Sequence, residues 1–315
     1  MTAAERDAGS TARTAAPGQD NLVLPFSTDK SGIRGRLVRM GSVVDTILSR
    51  HAYPDAVSEA LGQAIALTAM LGQPLKHGGR LGLQTRTDGA IRFLLADYEA
   101  PGRLRGYASF DPDRIAAMGP RPAQGDLIGS GHLAMTLERF GDEDRYQGIV
   151  ALEGQSLGAA ALTYFRQSEQ LPSYVRLAVA RHRVAGGDGW HWRAGGLLIQ
   201  HLTADVEDDD SPSAPQDQED WQRARILAAS VEDHELIDPT LSPERLLFRL
   251  FNEEDVRVYP GQALDARCRC SRERVQMFLS RFTQEDLEGL REPDGGISVT
   301  CEFCNTRYVF PPETP

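Results

Sequence analysis

Apolar residues recur at three-and-four spacing from Ser42 to His51, at Val43, Val44, Ile47 and Leu48, and again from Pro54 to Leu71, at Val57, Ala60, Leu61, Ala64, Leu67 and Leu71. That period predicts two amphipathic helices, with Pro54 at the start of the second. The pattern then changes to alternation. Leu81, Leu83 and Thr85, a turn at Asp88-Gly89, and Ile91, Phe93 and Leu95 read as a β-hairpin. Further strand-like runs lie at Leu104 to Phe110, Gly131 to Leu137, Tyr146 to Leu152, Tyr174 to Ala180 and Trp190 to Leu202, with one helix, Ser156 to Ser168, among them. Many strands joined by turns, without repeated β-α alternation, predict an α+β main domain of mainly antiparallel sheet with packed helices.

The pattern changes again past the last of these strands. Between Asp205 and Asp220 stand Asp205, Glu207, Asp208, Asp209, Asp210, Asp217, Glu219 and Asp220 with no basic residue, together with Pro212 and Pro215, the composition of a solvated hinge. Trp221, Ala224, Leu227, Ala228 and Val231, then Leu246, Leu247, Leu250 and Phe251, return to helical spacing, so the stretch to about Leu264 is expected to form amphipathic helices whose apolar faces rest on another part of the chain. Residues 1–21, rich in Ala, Thr and Ser, read as a disordered tail. The expected organisation is therefore a tail (1–21), a main α+β domain (22–204), an acidic hinge (205–220), a helical linker (221–264) and a small C-terminal module (265–315). A chain of 315 residues is long enough for such a main domain with an appendage.

Charge narrows the function classes. The net charge is −11 and the pI about 5.2. An acidic chain without a Lys/Arg-rich stripe is poorly suited to nucleic acid. It has no apolar run long enough to span a bilayer and no secretory signal at its start, so no membrane partner is expected.

The chemistry concentrates in the last fifth of the chain. All four cysteines lie there, as Cys268-Arg269-Cys270 and Cys301-Glu302-Phe303-Cys304, with 30 residues between the pairs. Two close thiol pairs separated by a few tens of residues can deliver four thiolates to a tetrahedral zinc ion. Thiols in metal-type spacing, with none left over for structural disulfides, fit a reducing, cytoplasmic compartment. The first pair is unusual, because C-x-C sets the thiols only two positions apart. A disulfide across that gap closes a very small ring and is readily reduced, which suits a switch better than a brace. Arg267, Arg269, Arg272 and Arg274 crowd this pair. They either lower the thiol pKa values or offset the charge of a four-thiolate centre, and four cysteines allow three disulfide pairings.

The run Cys268 to Val275 (CRCSRERV), the C-x-x-C that follows it, and the tail Tyr308-Val309-Phe310 resemble the redox-switch zinc domain of the thirty-three-kilodalton heat-shock chaperones of bacteria. Gly32 to Val38 (GIRGRLV), Arg145 to Gly154 (RYQGIVALEG), Tyr164 to Pro172 (YFRQSEQLP) and Ala194 to Gln200 (AGGLLIQ) resemble motifs of that family in the same order, so the similarity extends from about Leu22 to Phe310. Two departures stand out: Asn305 follows the last cysteine where the family usually has Gly, and the acidic linker is longer and more charged. The resemblance implies an ATP-independent holdase of the cytosol that binds unfolded client proteins under oxidative and heat stress. It implies one zinc ion per chain in the reduced, inactive form, held by Cys268, Cys270, Cys301 and Cys304. On oxidation Cys268 would pair with Cys270 and Cys301 with Cys304, and the active form would be a homodimer. No catalytic residue is implied, and the client-binding residues are not legible.

Rival readings rest on shorter motifs. A passive zinc-ribbon interaction protein would keep its zinc in mild peroxide. Gly154-Gln155-Ser156-Leu157-Gly158 matches the G-x-S-x-G elbow of serine hydrolases, with His77-Gly78-Gly79 as an oxyanion loop and Asp233 and His234 as triad partners. That elbow belongs to a parallel sheet, however, and Ser156 has a plain role as a helix N-cap. A thiol oxidoreductase would need Cys301 and Cys304 at a helix N-terminus, whereas they follow the strand-like Ile297-Ser298-Val299. The histidines, His51, His77, His132, His182, His191, His201 and His234, show no mutual ligand spacing and read as surface or capping residues.

Overall fold

A computed structural model describes residues 20–139, 145–183, 189–201 and 215–311. Of the expected tail, residues 1–19 lie outside the described residues, as do 205–214 of the expected acidic hinge.

Strands β1 (Leu22–Thr28) and β2 (Ile33–Met40) open the chain, followed by helices α1 (Ser42–Leu48) and α2 (Asp55–Gly72), the hairpin β3 (Arg80–Thr87) and β4 (Ile91–Glu99), and β5 (Arg103–Phe110). Short helices α3 (Pro112–Ala117) and α4 (Gln124–Ile128) lead to β6 (Ser130–Glu138) and β7 (Arg145–Glu153), then α5 (Leu157–Tyr164), which runs on into a π turn, and the long strands β8 (Ser173–Arg183) and β9 (Trp190–His201). The alternation and helical periods read from the sequence fall on these elements. The exceptions are β1 and β2, which the pattern did not reveal, and the short α3 and α4.

The reason for missing β1 and β2 is burial on both faces. One sheet runs β2-β9-β8 outward from β1, and a second runs β5-β4-β3-β6-β7, with antiparallel pairing throughout both series. Helix α2 lies between the sheets and is buried nearly all round, where the sequence predicted an amphipathic helix with one exposed face, because both sheets pack on it. Val23, Val38, Met40 and Leu198 of the first sheet pack toward it, while Leu22, Leu24, Leu37 and Leu197 face the other way into a second apolar cluster. A strand covered on both sides loses the apolar-polar alternation that marks a half-exposed one.

The second cover is the linker. Helices α6 (Pro215–Ala229), α7 (Asp233–Ile237) and α8 (Pro243–Phe251) place Ala224, Ala228, Leu236, Leu246, Leu250 and Phe251 on the outer face of the first sheet, with Phe251 stacked on Phe26 at 5.4 Å. The acidic residues Asp217, Glu219 and Asp220, expected in a hinge, lie within α6. Helix was expected to about Leu264, and here the structure differs. After a 3-10 turn at Asn252–Glu254 the chain becomes extended, with β10 (Val256–Val258) and β11 (Gln262–Ala263) paired to β1 and β12 (Asp265–Ala266) paired in parallel to β5. The β-branched Val256 and Val258 and the Pro260-Gly261 step favour strand and turn over helix.

Polar contacts to the linker backbone fix its position. The buried Arg39 donates to the carbonyls of Glu235 (2.9 Å), Leu236 (3.2 Å) and Leu241, and Arg193 donates to Ile237 O (2.6 Å). Arg193 also forks onto Asp20 at 2.7 and 2.8 Å, and Asn21 Oδ1 accepts the amides of Gly41 and Val43, so these last two residues of the expected tail are part of the folded domain. Gly195 explains the double glycine of AGGLLIQ: a Cβ there would stand 2.3 Å from Leu236 O, so only glycine lets the linker lie directly on β9. Arg223 of α6 forks onto the buried Glu254 at 2.6 and 3.1 Å and holds its carboxyl below the usual range.

The remaining elements, α9 (Arg272–Leu279), α10 (Gln284–Glu288), β13 (Ile297–Thr300) and β14 (Arg307–Phe310), enclose only Leu279, Leu287, Ile297 and Phe310 as fully buried apolar residues, with Val275, Val299 and Tyr308 beside them. That is far short of the core a self-sufficient domain needs.

Two outcomes test the linker contacts. Gly195→Ala should lift α7 off β9 at a cost of about 1–3 kcal/mol, seen as faster hydrogen exchange confined to residues near 232–241; unchanged exchange would refute the contact. Arg223→Met strands the Glu254 carboxylate, costing about 2 kcal/mol with Arg223 partly in water. Because the folded-state pKa of Glu254 is depressed, its contribution is complete above the ordinary carboxylate range and is lost as pH falls through the lowered value. The stability difference between parent and variant in denaturant titrations should therefore shrink between pH 7 and acid conditions.

Candidate metal centre

The segment between β12 and α9 carries Cys268 and Cys270, and Ser271 ends it by capping α9, its hydroxyl accepting the Arg274 amide at 3.3 Å. Cys301 and Cys304 lie in the tight turn between β13 and β14, closed by hydrogen bonds from the Cys301 amide to Thr306 O (2.9 Å) and from the Asn305 amide to Cys301 O (2.8 Å). Asn305 takes the left-handed conformation there (φ 57°), so asparagine fills the glycine position of the turn. The four sulfurs all lie within 4.8 Å of one another, with Cys268 to Cys301 at 3.7 Å and Cys270 to Cys304 at 3.2 Å. Four thiolates bonded tetrahedrally at zinc distances stand about 3.8 Å apart, so this donor set fits such an ion. Among the described residues it is the only group of this kind.

The thiols are strongly coupled. Burial pushes Cys270 up to about 12 and also raises Cys301, in both cases with neighbouring thiols adding to the rise, although the Tyr308 hydroxyl donates to Cys270 Sγ at 3.2 Å. Burial acts on Cys304 as well, but hydrogen bonding to Thr306, whose Oγ1 lies 3.2 Å from the sulfur, and to the neighbouring thiols brings it to about 7. Four thiolates this close repel one another unless a cation stands among them.

The arginines beside the first pair make contacts away from the sulfurs. Arg269 reaches to β4, pairing with Asp97 at 2.9 Å and lying 3.8 Å from Glu99. Arg272 donates to Val309 O (2.8 Å) and covers the Phe310 ring, Arg274 donates to Arg269 O (2.6 Å), and the Arg267 amide donates to Leu104 O (3.0 Å). Arg269, Arg272 and Arg274 thus tie the segment to β4, to β14 and to itself, and burial, the other thiols, Tyr308 and Thr306 shift the thiol acidities.

Direct seating of the module on the second sheet was not legible in the sequence. The Phe303 ring lies beneath the Arg105 guanidinium (3.8 Å) and 6.4 Å from Tyr107, and Asn305 Nδ2 donates to Arg50 O (3.0 Å). No local pattern signals such contacts, because each partner is more than 190 residues away.

The other candidates are not drawn together. Ser156 caps α5, accepting the Ala159 amide at 3.3 Å, and the strand before it, β7, pairs only antiparallel to β6. Asp233 pairs with Arg176 (2.7 Å) and His234 with Glu232 (3.2 Å). Cys301 and Cys304 stand in the turn between β13 and β14, not in the first turn of a helix. His201 is a correction: it is buried, with its ring 6.0 Å from Trp221, because the linker covers its strand.

Asn305→Val should destabilise the C-x-x-C turn by about 1–2 kcal/mol and remove the bond to Arg50. Competition with a chromophoric chelator should then show roughly tenfold weaker metal binding; parent-like affinity would show that the turn geometry is immaterial.

A model of the Hsp33 protein family matches residues 21–311. A 33 kDa chaperonin of Caulobacter vibrioides is 42% identical over 296 residues, covering 93% of this chain and 95% of the relative. One from Nitrosococcus oceani is 36% identical, covering 93% and 91%. The crystal structure of the 33 kDa chaperonin of Thermotoga maritima superposes with a TM-score of 0.75 over 93% of this chain and 96% of that one; at 24% identity it supports the fold. With the four-sulfur centre at its carboxyl end and the match running from β1 to the end of β14, the chain belongs to the Hsp33 family.

Proposed function

We propose that this chain is a redox-switched, ATP-independent holdase: closed and inactive while reduced and zinc-bound, and opened by disulfide formation so that it binds unfolding proteins. The observation that carries this reading is the convergence of Cys268, Cys270, Cys301 and Cys304 in a module with almost no core of its own. A zinc ion bound by the four thiolates would supply on the order of 10 kcal/mol of folding free energy to the module. Oxidation removes two electrons from each thiolate pair as its S–S bond forms; an oxidant of the peroxide class takes them and, with two protons from solvent, becomes two waters, and the zinc ion is released. The proposed pairs are Cys268 with Cys270 and Cys301 with Cys304. In the closed form Cys268 lies 3.7 Å from Cys301 and Cys270 3.2 Å from Cys304, so pairing within each sequence motif replaces contacts that join the two arms of the module.

The linker is next in line, because β12, which leads into Cys268, continues directly from β10 and β11 on the edge of β1. Unloading it leaves α6 to α8 held by their apolar face and by the contacts of Arg39 and Arg193. Mild heat weakens that docking, and release uncovers Leu22, Leu24, Phe26, Leu37, Leu197 and Ile199 on the first sheet together with the matching linker face. An apolar surface of that extent binds unfolded chains, and it favours pairing of two opened copies as a homodimer.

The test measures zinc release, disulfide pairing by peptide mapping, and suppression of aggregation of heat-unfolded citrate synthase, before and after peroxide at about 40 °C. Protection should arise only after oxidation, with loss of one zinc per chain. Equal protection by the reduced, zinc-loaded form would overturn the switch, and zinc that stays bound in peroxide would favour a passive zinc ribbon.

A further inference from the structure

The module covers a surface distinct from the one beneath the linker. On the outer face of the second sheet, β4 presents Phe93, Leu95, Asp97 and Glu99, and β5 presents Arg105 opposite Asp97 and Tyr107 opposite Leu95. Two side chains of the module sit here. Phe303 lies under the Arg105 guanidinium (3.8 Å) and beside Tyr107 (6.4 Å), which in turn stands 6.5 Å from Phe93. Arg269 lies on Asp97 (2.9 Å), a carboxylate that Arg105 also holds at 2.7 Å. Alongside them β12 pairs with the first two residues of β5, its Asp265 amide donating to Gly102 O (2.9 Å) and the Arg267 amide to Leu104 O (3.0 Å).

All three contacts come from a segment whose order depends on the sulfur centre. When it leaves, the carbonyls of Gly102 and Leu104 at the start of β5 open and extend its free edge, Asp97 and Glu99 lose one of their cations, and the Phe93–Tyr107 strip loses its aromatic cover. An open edge accepts an extended chain through main-chain hydrogen bonds, and the side-chain sites beside it select what that chain carries. The residues that occupy these sites in the closed form show the chemistry they take: an aromatic ring under a guanidinium, and a guanidinium on a carboxylate.

Building on the holdase reading above, we propose that the outer face and edge of β5 form a client-docking surface that the module masks in the closed chain. Its preferred occupant is an extended segment of an unfolded protein that presents an aromatic and a basic residue, and Phe303 and Arg269 hold its place until release.

The full-length chain with Tyr107 replaced by the photo-reactive p-benzoyl-phenylalanine tests this, since the site keeps an aromatic ring. Reduced and zinc-loaded, it should cross-link within the chain to the peptide containing Phe303. Oxidised with heat-unfolded citrate synthase, it should cross-link to the client, and a short peptide carrying Arg and Phe should compete where its Glu/Ala counterpart does not. In the otherwise natural chain, Tyr107→Ser should weaken binding of the fluorescent Arg/Phe peptide to the oxidised form about fivefold, with zinc content of the reduced form unchanged as the check on folding. Normal protection without client cross-links, or cross-links only to a second copy, would overturn the surface and leave the holdase reading standing. Equal competition by both peptides would overturn the basic-aromatic preference. Absence of protection by the oxidised natural chain would overturn both readings.

Discussion

Four sulfur atoms drawn within 4.8 Å of one another take the place of a hydrophobic core at the carboxyl end of this chain. The module around them buries only a handful of apolar side chains, so in the proposed mechanism its order rests on the centre more than on packing. Everything the module touches inherits that dependence: the edge of β5, the Arg269–Asp97 pair, the Phe303 seat and, through β12, the start of the path back to the linker.

The linker is built differently. Its docking combines an apolar face with directional contacts to main-chain carbonyls, made by guanidinium groups that are themselves buried in the sheet. Burial lowers the Arg39 pKa to about 10, which leaves the group charged at neutral pH and its hydrogen bonds strong. Such contacts hold one geometry and tolerate little displacement, so a linker of this kind is either seated or released, with few intermediate positions. Gly195 adds to this, because the close approach of Leu236 O is available only where no Cβ intervenes.

The two covered surfaces lie on different sheets and are masked by different segments. The face of the first sheet is broad and aliphatic, suited to general apolar contact, while the β4–β5 face combines aromatic rings, paired charges and a strand edge. A chain that exposes both offers an unfolded partner nonspecific and directional contacts together.

The sequence by itself determined the chemistry and most of the architecture. The cysteine spacing announced a four-thiol centre, the change from helical to alternating periods located α1, α2, the hairpin and the later strands, and helical spacing after Trp221 announced a linker in need of a surface. Those signals are local, and a local period survives whatever the remote environment. Only the tertiary structure decided that β1 and β2 are strands, because burial on both faces erased their alternation. It also decided that the linker's last part is extended, since a vacant sheet edge supplied the partners that a helix would have found within itself. And it decided where the side chains beside the first cysteine pair reach, Arg269 to a carboxylate and Arg272 and Arg274 to carbonyls: a charge close in sequence says nothing of direction, which is set by where the fold brings Asp97 to rest.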